Sequence, residues 1–255
     1  MRYYIIAGEA SGDLHGSNLI KELKKRDAAA NIRCWGGDKM QAAGGKLVKH
    51  YKELAFMGFL EVLKNLRTIL KNIRVCKKDI LQFQPTALIL IDYPGFNLRI
   101  AKWAKEQNLK IIYYISPQVW AWKENRVKLI KECVDKMLVI LPFEKDFYKR
   151  WDYEVEYVGH PLVEVVDDFI NTSPNMKDVE QGNKNTIALL PGSRQQEILK
   201  KLPIMLQATK HFPGYKFVVA KAPGLDDSFY AELLAPYKNV SAVANETYGL
   251  LVQSK

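Results

Sequence analysis

"YYIIAGEASGDLHGSNLI" (residues 3–20) passes from an apolar run through a glycine-bearing turn into helical periodicity. "YYII" has the aromatic and β-branched character of a strand, and "LHGSNLIKELKKR" repeats its apolar residues at helical spacing. A strand that feeds a helix in this way is the unit of doubly wound α/β sheets, and it predicts that class here. The turn itself is not GxGxxG, because Gly8, Gly12 and Gly16 recur every fourth residue. A helix N-terminus after a strand favours an anion, yet this one carries Glu9 and Asp13. Two readings stay open. The acids and Ser11 cap the helix, with Ser11 or Asp13 as the capping side chain, or the site handles a proton or hydroxyl in place of a phosphate. Glu9 falls at the C-terminal edge of the first strand, where ligands bind in open α/β sheets.

The alternation continues along the chain. "NIRCWGG", "TALILID" (86–92), "KIIYYIS" (110–116), "KMLVIL" (136–141) and "VEYVGH" (155–160) read as strands, with helical stretches at 59–81, after Asn97 and near 121–133. Unbroken apolar runs such as "TALILI" suit strands covered on both faces, which implies a parallel sheet. A polar stretch, "NTSPNMKDVEQGNKN" (171–185), interrupts the pattern. It resumes at "TIALLPGSR" (186–194), followed by "KFVVA" (216–220) and "VSAV" (240–243), with helices near 195–211 and 226–236 and a last one at the end. The expected division is an N-terminal Rossmann-like domain over 1–162, a linker over 163–185, and part of a second such domain over 186–255. About three strands fall in the second unit, fewer than the roughly four to six of a doubly wound domain. Either it is incomplete, or a homodimer completes it.

The chain has 255 residues, 48% of them hydrophobic, enough for a real core and two domains. Its formal net charge of +10 directs attention to polyanions: nucleic acid, an anionic membrane or nucleotide-sugars. Base-stacking aromatics do not cluster, so no nucleic-acid partner is expected. Three scattered cysteines without a CxxC pair fit a reducing compartment, and four histidines without HExxH argue against metal held by the protein. "MRYYIIAGEA" lacks the basic start and apolar core of a signal peptide, and no apolar run reaches the roughly 18 residues of a membrane span. A cytoplasmic protein, peripheral to a membrane, is the expectation.

Four motifs carry the chemistry. "ILIDYPGFN" (89–97) ends a strand with Asp92, either a general base or a turn acid bonded to nearby amides. "ISPQVWAWKENRV" (115–127) places Trp120 and Trp122 after another strand, as packing residues or as a platform for a sugar or acyl chain. "LLPGSR" (189–194) offers the amides of Gly192 and Ser193 at a helix start, with the Arg194 guanidinium beside them, a setting for a diphosphate. Residues 62–80 are amphipathic, with a basic stripe through Lys64, Arg67, Lys71 and Arg74. This is either a sheet-packing helix with a solvated flank or, joined to "LAFMGFL", a face that meets an anionic bilayer.

In order along the chain, "AGEASGD", "GGDKMQAAG", "MGFLEVL", "IDYPGFN", "SPQVWAW", "LPFEKDFY", "VGHPL" and "LPGSR" resemble the segments of lipid-A-disaccharide synthases. These are bacterial inverting glycosyltransferases of the GT-B type, and the resemblance spans nearly the whole chain. It implies transfer from UDP-2,3-diacylglucosamine to 2,3-diacylglucosamine 1-phosphate (lipid X), making a β(1→6) disaccharide and UDP with no protein-bound metal or other cofactor. It implies Asp92 as the essential acid and candidate base, Arg194 as the essential arginine, and Glu9 as an acid near the active site. Ser11, Asn97, Trp120 and Trp122 then fall on the acceptor side, and Gly192 and Ser193 on the donor side, the two meeting across a cleft. Two departures stand out. Gly95 occupies a position where the family more often has an acid. The segment expected to hold uridine and ribose would follow Lys255, so the chain reads as a fragment, inactive by itself. The competing reading, an α/β oxidoreductase with a nucleotide cofactor, lacks its GxGxxG.

Overall fold

The structure is a computed structural model that describes residues 1–54, 66–172, 185–193, 195–222, 225–244 and 246–254, with the side chain of Leu66 excepted. Two compact units divide the chain, Met1–Pro161 and Leu162–Lys255.

In the first unit seven strands form one parallel sheet: β1 (Arg2–Ala7), β2 (Asn31–Gly36), β3 (Lys46–His50), β4 (Ala87–Ile91), β5 (Ile111–Tyr114), β6 (Lys136–Val139) and β7 (Glu156–Tyr157). Their order is β3-β2-β1-β4-β5-β6-β7. The chain therefore builds outward in one direction from β1, then returns to β1's other side and builds outward again. β1 and β4 flank the point where the order reverses, with Tyr3 opposite Ala87 and Ala7 opposite Ile91.

Successive strand residues point to opposite faces, and both faces here are covered. Ile5, Ala7, Ile89 and Ile91 pack with Ile20 of α1 (Ala10–Arg26) and Met40 of α2 (Asp38–Ala42). Tyr4, Ile6, Leu88 and Leu90 face the other way, in a core that includes residues of α3 (Leu66–Phe83), α4 (Pro94–Glu106) and, past the short α5 (Val119–Trp122), of α6 (Arg126–Cys133). Each buried isoleucine or leucine contributes roughly 1.5–3 kcal/mol, which is why "TALILI" carries no polar residue after its threonine.

α3 resolves one half of the reading of residues 62–80. Ile73, Cys76, Ile80 and Phe83 are buried against the sheet, whereas Arg67, Lys71 and Arg74 are exposed. Lys64 and "LAFMGFL" after its first residue, the buried Leu54, lie outside the described residues. Polar contacts fix the helix as well. The Trp35 indole donates to the Tyr4 hydroxyl at 2.8 Å, which donates to Asp79 of α3 at 2.8 Å, while Arg33 pairs with the same carboxylate.

The second unit contains a parallel three-stranded sheet, β10-β9-β8, from β8 (Thr186–Leu189), β9 (Lys216–Lys221) and β10 (Val240–Ala244). Leu189, Phe217 and Val219 pack with Ile198, Leu202 and Leu206 from one helix (Gln195–Thr209) and Tyr230 from another (Asp227–Leu234). Leu162–Thr172, most of it assigned to the linker, is instead a helix. Leu162, Val166 and Phe169 repeat at helical spacing within it, a signal masked by the valines around them and by the polar run that follows.

Candidate active site

Because Ala7 stands opposite Ile91, the chain leaves the sheet at Gly8–Glu9 and at Asp92 from adjacent strands. This is the reversal point of the strand order, where open α/β sheets open a crevice for ligands. The two acids singled out by their place at strand ends thus emerge side by side.

Asp92 and Tyr93 both adopt left-handed backbone, with φ of 41° and 50°, and Ile115 at the end of β5 does so at 64°. None is glycine or asparagine, so each conformation costs on the order of 1–3 kcal/mol and persists only where neighbours enforce it. The enforcing bonds are present. The Asp92 N–H donates to the Ile115 carbonyl at 3.3 Å. The Asp92 carbonyl accepts from the Tyr113 hydroxyl at 2.6 Å and from Asn97 Nδ2 at 2.8 Å, and the same amide reaches the Ile91 carbonyl at 3.2 Å. Asn97 is fully buried. Its amide nitrogen is spent on backbone carbonyls at the strand end. Burial, reinforced by the nearby Asp92 charge, raises the Tyr113 pKa and keeps it a phenol.

Tyr93 ties the two strand ends together. Its ring lies against Gly8, where any Cβ would collide with it, and its hydroxyl donates to the Leu54 carbonyl at 3.2 Å. Burial and the neighbouring Glu9 charge both raise the Tyr93 pKa. Gly16 and Gly36 similarly leave room for the Met40 thioether. Gly8 and Gly16 of the opening turn thus serve packing.

The acids of that turn have separate roles. Glu9 is the N-cap residue of α1, in extended backbone, but its side chain makes no capping bond, and neither Ser11 nor Asp13 caps this helix. Asp13 is buried and accepts from the amides of Gly37, Lys39 and Met40 at 2.7, 3.1 and 3.0 Å, so it caps α2 instead. One turn into α1, it points away from that helix's own free amides and across to the next. Ser11 lies exposed in the first turn of α1. His15, nine-tenths buried, has its pKa lowered by burial and by His160.

Trp120 and Trp122 diverge. Trp120 is half-buried, edge-on to Phe143 at 5.0 Å, and lines an open trough with Phe147, Lys149 and Arg150. Trp122 is 66% exposed, with Lys123 Nζ 4.7 Å and the Arg126 guanidinium 5.3 Å from its ring centre. Behind Trp120, at the start of α7 (Glu144–Lys149), sits a group that motif reading did not single out. Glu144 is buried and accepts from the amides of Ile140 and Leu141 at 3.1 and 2.8 Å, while burial raises its pKa. The Trp120 indole N–H is buried without an acceptor at bonding distance, yet lies close enough to Glu144 to favour its charge. An acid following "LPF" at a strand end was the available signal.

In the second unit Gly192 has φ of 120°, open to glycine alone, and the Glu197 carboxylate packs where its Cβ would stand. Ser193 is exposed beside it, at the start of the helix that begins at Gln195. Arg194 lies outside the described residues. Among the described residues no three His, Cys, Asp or Glu side chains group as a metal site, and no helix is long and apolar enough to cross a membrane.

Solved structures of similar fold include a UDP-GlcNAc 2-epimerase from Neisseria meningitidis bound to UDP-GlcNAc (TM-score 0.67, 14% identity, 99% of this chain and 74% of that one). The calicheamicin glycosyltransferase CalG4 is another (TM-score 0.52, 15% identity, 95% and 69%). The fold is α/β of the GT-B type, with Rossmann-like units. A protein named lipid-A-disaccharide synthase from Geobacter metallireducens is 42% identical over 245 residues, covering 92% of this chain and 62% of that protein. Lipid-A-disaccharide synthase 1 of Legionella pneumophila strain Philadelphia 1 is 42% identical over 231 residues, covering 86% and 58%. The chain thus spans about three-fifths of the length of these relatives. Over residues 3–254 it matches the family model described as LpxB, lipid-A-disaccharide synthetase, and it belongs to that family.

Proposed function

We propose that the full-length protein carrying this chain is an inverting glycosyltransferase that joins UDP-2,3-diacylglucosamine to lipid X and releases UDP. The Asp92 carboxylate takes the proton from the acceptor's 6-hydroxyl as that oxygen attacks the anomeric carbon of the donor. The carbon–oxygen bond to UDP breaks on the opposite face, and the electron pair leaves with the diphosphate. Arg194 and the amides of Gly192 and Ser193 offset that charge. Glu9, one strand from Asp92, assists on the acceptor side with Ser11, and Trp120 and Trp122 offer apolar surface to the sugar or its acyl chains. The exposed Arg67, Lys71 and Arg74, with Lys64, meet anionic headgroups at the inner face of the cytoplasmic membrane.

The observation that carries this reading is Asp92 itself, an acid on left-handed backbone one strand from Glu9 at the reversal point of the sheet, in a chain whose relatives bear the name of this activity. In the full-length protein, Asp92→Asn and Arg194→Ala are each expected to slow disaccharide formation at least about a hundredfold, measured with both lipid substrates. Near-normal turnover by either variant removes the corresponding assignment. The 255-residue chain alone is expected to give no product.

A further inference from the structure

We propose that Tyr113 and Asn97 are positioning residues for transfer: together they hold the Asp92 backbone in the left-handed form that aims its carboxylate at the acceptor. The inference rests on Asp92 acting as the base. A residue with a Cβ returns to negative φ when nothing restrains it, and rotation about its own N–Cα bond swings the side chain with it. Asp92 is restrained at both ends. Its N–H is held by Ile115, itself left-handed at φ of 64°, and its carbonyl by two donors, Tyr113 at 2.6 Å and Asn97 at 2.8 Å.

The donors come from different elements, the penultimate residue of β5 and the first turn of α4. Both side chains are buried, so neither is at liberty to turn toward substrate or solvent. Asn97 also spans from the Asp92 carbonyl to that of Ile91, the last residue of β4, which fixes where the turn departs from the sheet. Tyr113 keeps its proton under ordinary conditions, since burial and the Asp92 charge both raise its pKa, and it therefore remains a donor. Neither residue reaches the reacting atoms. Their effect on transfer runs through Asp92.

The test compares Tyr113→Phe with Tyr153→Phe in the full-length protein. Tyr153 also spends its hydroxyl on a backbone carbonyl, but on that of Val134, at 3.2 Å, and not on Asp92. Both changes keep the ring and lose one such bond. Tyr113→Phe is expected to lower kcat at least about tenfold, with both KM values within about twofold, because a misaimed base slows the step without weakening binding. Tyr153→Phe is expected to keep kcat. Equal kcat in the two variants, with Asp92→Asn inactive, overturns the inference and leaves the transferase reading standing. An active Asp92→Asn overturns both. Should Tyr113→Phe fold poorly, Asn97→Ser leaves that ring in place and reads the other arm of the same clamp, with the same outcomes.

Discussion

Replacing Asp13 by alanine would leave the amides of Gly37, Lys39 and Met40 without their shared acceptor, two of these bonds being fully buried. A lost cap together with buried unsatisfied donors costs about 2–4 kcal/mol, which chemical denaturation of the Asp13→Ala chain should register. Gly95 predicts the opposite. It is the second residue of α4, and nothing lies within 4 Å of where its Cβ would stand. Gly95→Asp should leave stability unchanged or raise it by about 0.5–1 kcal/mol through lower chain entropy and the helix dipole. Single residues were legible to the extent that their position followed from the strand pattern. Glu9 and Asp92 stand at strand ends and could be found there. The backbone contacts of Asn97 were not legible, because one of its partners is the carbonyl of Asp92, turned aside by positive φ, a conformation no Asp-Tyr dipeptide announces. Tyr113, read as one more apolar strand position, gave no sign of its hydroxyl's use for the same reason.

Among the elements, α3 divides its surface cleanly. Its apolar face is committed to the sheet, and Asp79 anchors it through Tyr4 and Arg33, so the exposed cations are free to be changed without disturbing the core. Arg67→Gln, Lys71→Gln and Arg74→Gln together should reduce sedimentation with phosphatidylglycerol vesicles, most at low salt, while the melting temperature stays within a few degrees. Unchanged co-sedimentation would leave the stripe as a solvated flank. The longer elements were readable because unbroken apolar runs and helical periodicity both persist in them. β3 escaped notice, since "KLVKH" is a short edge strand whose lysines hide its two apolar residues. The helix expected near 121–133 is two, Val119–Trp122 and Arg126–Cys133, with three residues between them. That break leaves Trp122 exposed, where a continuous helix would have carried it on a fixed stripe.

For the molecule as a whole, pH acts on the fold through buried groups of opposite sign. His15 is buried with its pKa lowered from the ordinary 6.5, so the unfolded chain binds a proton first as the pH falls. Its contribution is present above about 6.5 and is lost as pH drops through that value toward the lower folded one. Glu144 acts with the other sign: its raised pKa gives a contribution present at low pH and lost as pH rises through the folded value. In urea midpoints measured from about pH 5 to 8 the two groups oppose each other, and His15→Gln should remove the part that rises with pH. The doubly wound class and the order of motifs were legible throughout, since strand–helix alternation is a property of the whole pattern. The strand order was not, because nothing local says on which side of β1 the returning chain will insert.

That insertion makes the first strand a central one. Arg2–Ala7 lies between β2 and β4, and Tyr3 must wait for Ala87 before its second neighbour exists. A ribosome delivers the earliest residues long before that partner, and closing so long a loop is slow. Until then that apolar edge of the nascent sheet stands open, a natural client for a chaperone.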